Sequence, residues 1–425
     1  MNSRIALMAT AFSAVAVIAG CSPSSEQPGT STTQTSASAA PATSTVPAAS
    51  PPSTPPVATP LLARVLAAPI PVPATDGRTH LAYELLLTNS MDQDVTVASV
   101  AVRAGRGGTT LATLDGDAVA NRTRIIGTTA PTARLGPSQS ALVWIDAAVD
   151  NGSAPSELVH AIEVRLTKPM PPLLPETVNE TVAPVTVQTR EPAVIAPPLR
   201  GPQWWDANGC CGMTAHRMAI NPIDGELWGA ERFAIDYVQL MPDGRLFDGD
   251  PKDVKSYPYF GLGVHAVADG PVVAVLDQLP EQVPGVAPTG LRLDEYGGNH
   301  VVQDIGNGNY AFYAHLKTGS VAVKPGDRLT SGQVLGDLGN SGNTDAPHLH
   351  FHVMNGPDPL KADGLPFLID EFRLTSRSAE GTGPGGDAID TAMAGEPVPL
   401  QPGVTASDET RVSPLVSDVM DYPDG

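Results

Sequence analysis

Three histidines occupy every second position of Asp345-Ala346-Pro347-His348-Leu349-His350-Phe351-His352, with apolar residues between them. Only an extended strand, whose side chains alternate between two faces, brings all three to one side, about 6 to 7 Å apart per step. The Gly/Asn-rich run Gly339-Asn340-Ser341-Gly342-Asn343 just before it reads as the tight loop that feeds this strand. The same texture extends along the chain. With 41 Gly and 43 Pro in 425 residues and few aromatics, short strands joined by turns are favoured over long helices.

The amino terminus reads differently. Met1 to Gly20 has Arg4 near its start, an apolar run from Ile5 to Ile18, and then Ile18-Ala19-Gly20-Cys21. A basic start, a short apolar core and small residues before a cleavage point predict a secretory signal, because a spanning helix needs about 20 apolar residues. The ending resembles the lipobox of bacterial lipoproteins, which implies that Cys21 becomes the lipidated first residue of an exported protein held to a bacterial membrane. From Ser22 to Pro60 the chain is almost entirely Ser, Thr, Pro and Ala with Glu26 its only charge, so residues 21–60 are predicted to be a semi-rigid tether without a core.

The remaining length accommodates two domains of ordinary size. A net charge of -20 argues against a nucleic-acid partner and against charge-driven adhesion to anionic membranes. Residues 61–190 are predicted to form a β-sandwich-like domain. Leu81, Tyr83, Leu85 and Leu87 alternate with His80, Ala82 and Glu84, and Ile162, Val164 and Leu166 alternate with Glu163 and Arg165. No cluster of carboxylates, histidines or nucleophiles gathers there, and His80 and His160 are expected on solvated faces. This domain is read as a spacer, a cover for the next domain, or a surface for a protein partner, with the Pro-rich stretch from Pro169 to Pro202 as linker. Besides Cys21 the cysteines are Cys210 and Cys211; adjacent positions allow a vicinal disulfide, an interchain pair or metal ligation, and no Cys-x-x-Cys spacing favours metal.

Residues 191–374 are a succession of short strands and glycine turns: Phe233-Ala234-Ile235-Asp236-Tyr237, Ala268-Asp269-Gly270, Gly298-Asn299, Tyr313-Ala314-His315-Leu316, Val323-Lys324-Pro325-Gly326-Asp327, Gly332-Gln333-Val334-Leu335-Gly336 and Pro347-His348-Leu349-His350-Phe351. From about residue 225 to 372 this order resembles the lysostaphin-type (LytM-like) zinc metallopeptidases. The fold class expected is therefore mainly β: a β-sandwich-like domain followed by a LytM-like (duplicated hybrid motif) antiparallel β peptidase domain. The resemblance implies Zn2+ as cofactor and peptidoglycan peptides as substrate. It makes Asp236 and His350 metal ligands, and His315 and His348 the catalytic histidines beside the water and the developing oxyanion. A hydrolytic zinc site needs about three N or O ligands and one open position for water, whose pKa falls towards about 7. His352, farther along the strand, is assigned a structural role.

At one point the chain departs from the pattern. The family's first ligand is a His four residues before the Asp, and here that position is Arg232, whose guanidinium cannot ligate zinc. If Asn221 to Glu226 turns as a hairpin centred near Ile223-Asp224, antiparallel pairing would set His216 opposite about residue 231 and supply the third ligand. His300 and His265 are the other candidates. Without a replacement the domain would be a non-hydrolytic relative that binds cell wall or regulates a hydrolase. Leu279 to Leu291 is a candidate rim of the cleft. Residues 375–425, with nine Asp and Glu against Arg377 and Arg411, are expected to be a disordered acidic tail, although Val412 to Tyr422 is apolar enough to dock as a last strand.

Overall fold

The computed structural model describes residues 57–379 and 387–424. The signal segment, Cys21 and the tether up to residue 56 lie outside the described residues. Among those described, no helix is long and apolar enough to cross a membrane.

The protein is mainly β. Its amino-terminal part is two antiparallel sheets. One contains Leu61–Val65, Arg78–Asn89, Ser140–Asp150 and Thr123–Ile125, and the other Val95–Ala104, Thr110–Asp115, Glu157–Leu166 and Thr177–Thr186. Leu81, Tyr83, Leu85 and Leu87 from the first pack on Val100, Val102, Ile162 and Val164 from the second in one closed core. This is the arrangement that period-two alternation calls for, with one apolar face per sheet turned inward.

Two histidines depart from expectation. His160 has the parity of Leu158, Ile162 and Val164 and therefore points into the core, where its Nε2 lies 2.7 Å from the Tyr83 hydroxyl and its Nδ1 3.0 Å from the Ala183 carbonyl. His80 is on the opposite face of its strand, but that face is covered, and its two ring nitrogens lie against Asp146 (3.0 Å) and Asp76 (3.1 Å). Both are satisfied buried side chains. The Pro169 to Pro202 stretch is also no continuous linker: Thr177–Thr186 pairs with Glu157–Leu166, Ala193–Ile195 pairs in parallel with Phe367–Arg377, and only a few residues cross between them.

The carboxy-terminal part is built on a large, mostly antiparallel sheet. Its centre runs Gly201–Asp206, Ile235–Gln239, Leu349–Met354, Asn309–Leu316, Asn299–Gly306 and Gly270–Leu276. Tyr237, Tyr313, Phe351, Leu349 and Val353 fill the core on one side of it. The expectation of a disordered tail is corrected for residues 387–424. Asp418–Tyr422 lies between Phe367–Arg377 and Gly201–Asp206, Ser407–Val412 pairs with Phe367–Arg377, and Asp387–Met393 is helical. Net acidity misled here because the decisive residues are few and apolar: Val419, Met420 and Tyr422 are buried, and the buried Asp418 is neutralised by Arg377 at 2.6 Å.

Candidate active site

Three neighbouring strands bring the histidines and Asp236 together. In the register of Ile235–Gln239 with Leu349–Met354, Asp236 faces His350, and on the other side Ala314 faces His350, so His315 follows at the strand end. The Asp236 Oδ1 is 3.1 Å from the Nδ1 of His350 and 3.3 Å from the Nε2 of His348. The His315 ring centre is 4.6 Å from that of His348 and 5.8 Å from that of His350. The site is a carboxylate walled by imidazoles.

His216 joins them by a route that pairing arguments did not foresee. The hairpin forms, with Ile223 opposite Glu226, but it ends at Asn221 opposite Trp228. The expected strand carrying His216 is instead a short helix, Ala215–Met218, capped by the Thr214 side chain. From this helix the His216 Nε2 reaches to 3.2 Å from Asp236 Oδ2, while its Nδ1 donates to the Ala234 carbonyl at 3.1 Å. One donor atom each from His216, Asp236 and His350 lies within 4.8 Å of the others, a spacing that could hold a metal ion. Two neutral imidazoles and a carboxylate suit zinc and leave a fourth position for water. His300 and His265 stand elsewhere, bonded to the Gly298 and Gly332 carbonyls at 2.8 and 2.9 Å.

Arg232 turns away from this cluster. Its guanidinium is buried against Glu84 of the amino-terminal part at 2.7 Å and Asp363 at 3.2 Å. The position vacated as a ligand is thus used as an anchor between the two parts of the chain.

The hydrogen bonds set each imidazole. His315 is in the left-handed region (φ 58), a strained conformation for a non-glycine residue, and its Nδ1 lies 2.7 Å from the Ser341 carbonyl, so Nδ1–H donates and Nε2 is left towards the cluster. His348 is fixed in the same sense by the Ala346 carbonyl, 2.8 Å from its Nδ1. The turn behind both depends on Gly342 (φ 80), where a Cβ would stand 2.2 Å from the Gly298 nitrogen. His352 is buried and its Nδ1 shares a 2.9 Å hydrogen bond with the Nε2 of His350, so it backs the strand's central histidine.

Charge follows the geometry. Burial would raise the Asp236 carboxyl, but the adjacent His216 and His348 outweigh it and hold the group well below the usual carboxylate range. Burial likewise opposes protonation of His216, yet Asp236 and, more distantly, Glu231 raise it to about 9. His348 is also raised, its burial overcome by Asp236. His315 is driven well below its ordinary value by burial and by His348 and His350, and stays neutral. A cation entering between Asp236 and the histidines would displace protons from His216 and His348, the usual exchange at a metal site.

One residue near the centre carried no signal in the sequence. Asn208, in an irregular segment after the Gly201–Asp206 strand, donates from Nδ2 to Asp236 Oδ2 at 3.0 Å and accepts from the His216 amide at 3.4 Å. The Cys210–Cys211 pair two residues on is joined as a vicinal disulfide, one of the alternatives that adjacency allowed. The Leu279 to Leu291 stretch lies against the turn that precedes His348: Gln282 N donates to Asn340 O and Gly285 N to Asp345 O, both at 2.7 Å, with Val283 and Val286 exposed.

Residues 258–362, which include three of the clustered histidines, match the family model described as Peptidase family M23, so the chain carries an M23 domain of the lysostaphin or LytM type. The matched segment contains His315, His348 and His350 and begins after His216 and Asp236. Among relatives, the chain is 31% identical to Endolysin 2638A of Staphylococcus phage 2638A over 31% of this chain and 29% of that protein. It is 37% identical to the peptidoglycan DD-endopeptidase ShyA of Vibrio cholerae over 17% of this chain and 16% of that protein. Among solved structures, the catalytic domain of lysostaphin from Staphylococcus simulans is 21% identical, covering 39% of this chain and 86% of that one, with a TM-score of 0.21. The chain spans less than a third of the length of the curated relatives it matches.

Proposed function

We propose that this chain is an exported zinc metalloendopeptidase, lipid-anchored at Cys21, that hydrolyses peptide bonds in peptidoglycan. The observation that carries the reading is the convergence of His216, Asp236 and His350 donor atoms within 4.8 Å, beside the neutral His315. The M23 match supports a peptidase, and relatives described as a peptidoglycan DD-endopeptidase and a glycyl-glycine endopeptidase of Staphylococcus capitis support the cell wall as substrate. Export and anchoring rest on the Met1 to Cys21 pattern.

In this reading His216, Asp236 and His350 hold the zinc, which when bound polarises a carbonyl and lowers the pKa of water towards about 7. His348, with its Nδ1–H tied to Ala346 O, presents Nε2 beside Asp236 and takes the water's proton as attack proceeds. Neutral His315, its Nδ1–H held by Ser341 O, turns the lone pair of its other nitrogen to the site and accepts a hydrogen bond from the attacking water. Asn208 holds Asp236 from behind.

Arg232 favours a second reading, a domain that binds cell wall without cutting it, and the experiment separates the two. Purified protein is assayed for metal and for release of new amino termini from purified peptidoglycan. About one zinc per chain, lost in His350→Ala and His216→Ala, together with release of amino termini that His348→Ala abolishes, supports the enzyme. Zinc retained in His216→Ala overturns that ligand. Zinc-free wild-type protein that pulls down with peptidoglycan supports the binding module.

A further inference from the structure

The helix that delivers His216 is a single turn, too short to hold itself in place, and no strand register in its own domain fixes it. Within its own domain His216 meets the Ala234 carbonyl and the Asn208 side chain; the next residue, Arg217, ties the turn to partners that come mainly from the amino-terminal part. The fully buried guanidinium donates to Ile145 O at 3.1 Å and Tyr83 O at 3.4 Å, and faces the Glu84 carboxylate at 3.7 Å. The Arg217 carbonyl accepts the indole N–H of Trp144 at 2.5 Å. Around these contacts Cys210 and Cys211 pack with Val72 and Ala82 of the same sheet and with Phe233 and Leu368. Glu84 also grips Arg232, and so draws that side chain away from the cluster.

We propose that the amino-terminal β domain is part of the metal site, with Trp144 and Glu84 as positioning residues that hold the His216 helix against Asp236. This rests on the reading that His216, Asp236 and His350 bind zinc. The position usual for a first ligand is spent on an interdomain ion pair, and the replacement ligand is oriented from across the same interface. The domain is then neither spacer nor cover: without it docked, the helix keeps only its contacts to Thr214, Ala234 and Asn208, and His216 is held less firmly against Asp236.

The test is zinc affinity of the whole chain, measured by competition with a chromogenic chelator, alongside Co2+ absorption spectra. Trp144→Phe keeps a buried aromatic ring and removes the N–H together with part of the indole's volume. Arg217→Lys keeps the charge beside Glu84 and gives up the guanidinium's contacts with the Ile145, Tyr83 and Cys211 carbonyls. Each should weaken zinc by about tenfold or more, the usual scale for a group that orients a ligand, and change the Co2+ spectrum while the chain remains folded by circular dichroism. In a His216→Ala background Trp144→Phe should have no further effect, because it acts only through His216. Wild-type affinity and spectra in both variants, with affinity lost in His216→Ala, would overturn the proposal and leave the zinc peptidase reading standing. No zinc in the wild type overturns both.

Discussion

Replacing Glu84 by Gln should be among the most destabilising single changes in this protein. The Glu84 side chain is fully buried, 2.7 Å from Arg232 and 3.7 Å from Arg217, and both guanidinium groups are themselves buried. Burial opposes charge on Arg232, yet Glu84 and Asp363 hold it above its ordinary value, so it remains a cation throughout the working pH range. Gln keeps the shape and part of the hydrogen bonding but leaves two buried cations, Arg232 with Asp363 and Arg217 with Asp146 beyond ion-pair distance. Removing one partner of a buried ion pair costs about 3–5 kcal/mol, which for a chain of this size lowers the unfolding midpoint by about 4–7 °C. Thermal unfolding at pH 7 followed by circular dichroism measures it. Asp408→Asn is the control: it breaks the exposed Arg373–Asp408 pair (2.8 Å) and should cost less than about 1 kcal/mol. A Glu84→Gln loss no larger than that of the control would refute the argument, since the guanidiniums would then be compensated without the carboxylate.

Glu180 predicts a pH dependence of stability. Burial raises its carboxyl to about 7, against the opposing hydrogen bond from the Leu61 amide at 3.0 Å. A raised folded pKa means that the folded chain keeps a proton the unfolded chain has released, so stability is full below about pH 4.5, falls as pH rises to about 7, and is level above. Glu180→Gln should therefore raise stability at pH 8 by on the order of 2–3 kcal/mol and barely change it at pH 4; equal effects at both would refute the assignment. His315→Ala should leave zinc content near one per chain while lowering the rate of amino-terminus release by about 100-fold or more, as expected for a group that acts on the reaction rather than on the metal. Gly342→Ala places a Cβ 2.2 Å from the Gly298 nitrogen at φ 80 and should cost more than about 3 kcal/mol or prevent folding, read by expression and unfolding midpoint.

The parts of the site that were legible in the sequence are those whose placement is local. His348, His350 and His352 share a strand face because a strand has a period of two, and burial of Leu349, Phe351 and Val353 on the other face follows from the same period. The order of short motifs around Asp236 and His315 was likewise enough to recognise the peptidase domain. Parity also decided His160, whose neighbours Ile162 and Val164 already marked the inward face. His80 and Glu84 were not legible, because the face they occupy is polar in sequence and is buried only when the second domain docks on it. Asp418–Tyr422 entered the sheet because three large apolar side chains outweigh the charge of a whole segment once they meet a core.

What the sequence by itself determined is the strand chemistry: short extended segments, glycine turns, and the histidine face with Asp236 beside it. What only the tertiary structure decided is the third donor. His216 is twenty residues from Asp236, on a single helical turn with no register to count; Ala234 O and Asn208 meet it, and Arg217 ties the turn across to Trp144, Tyr83, Ile145 and Glu84. Strand pairing propagates residue by residue and can be counted along the chain. Contacts between two separately folded sheets depend on how their surfaces meet, and no local period encodes that.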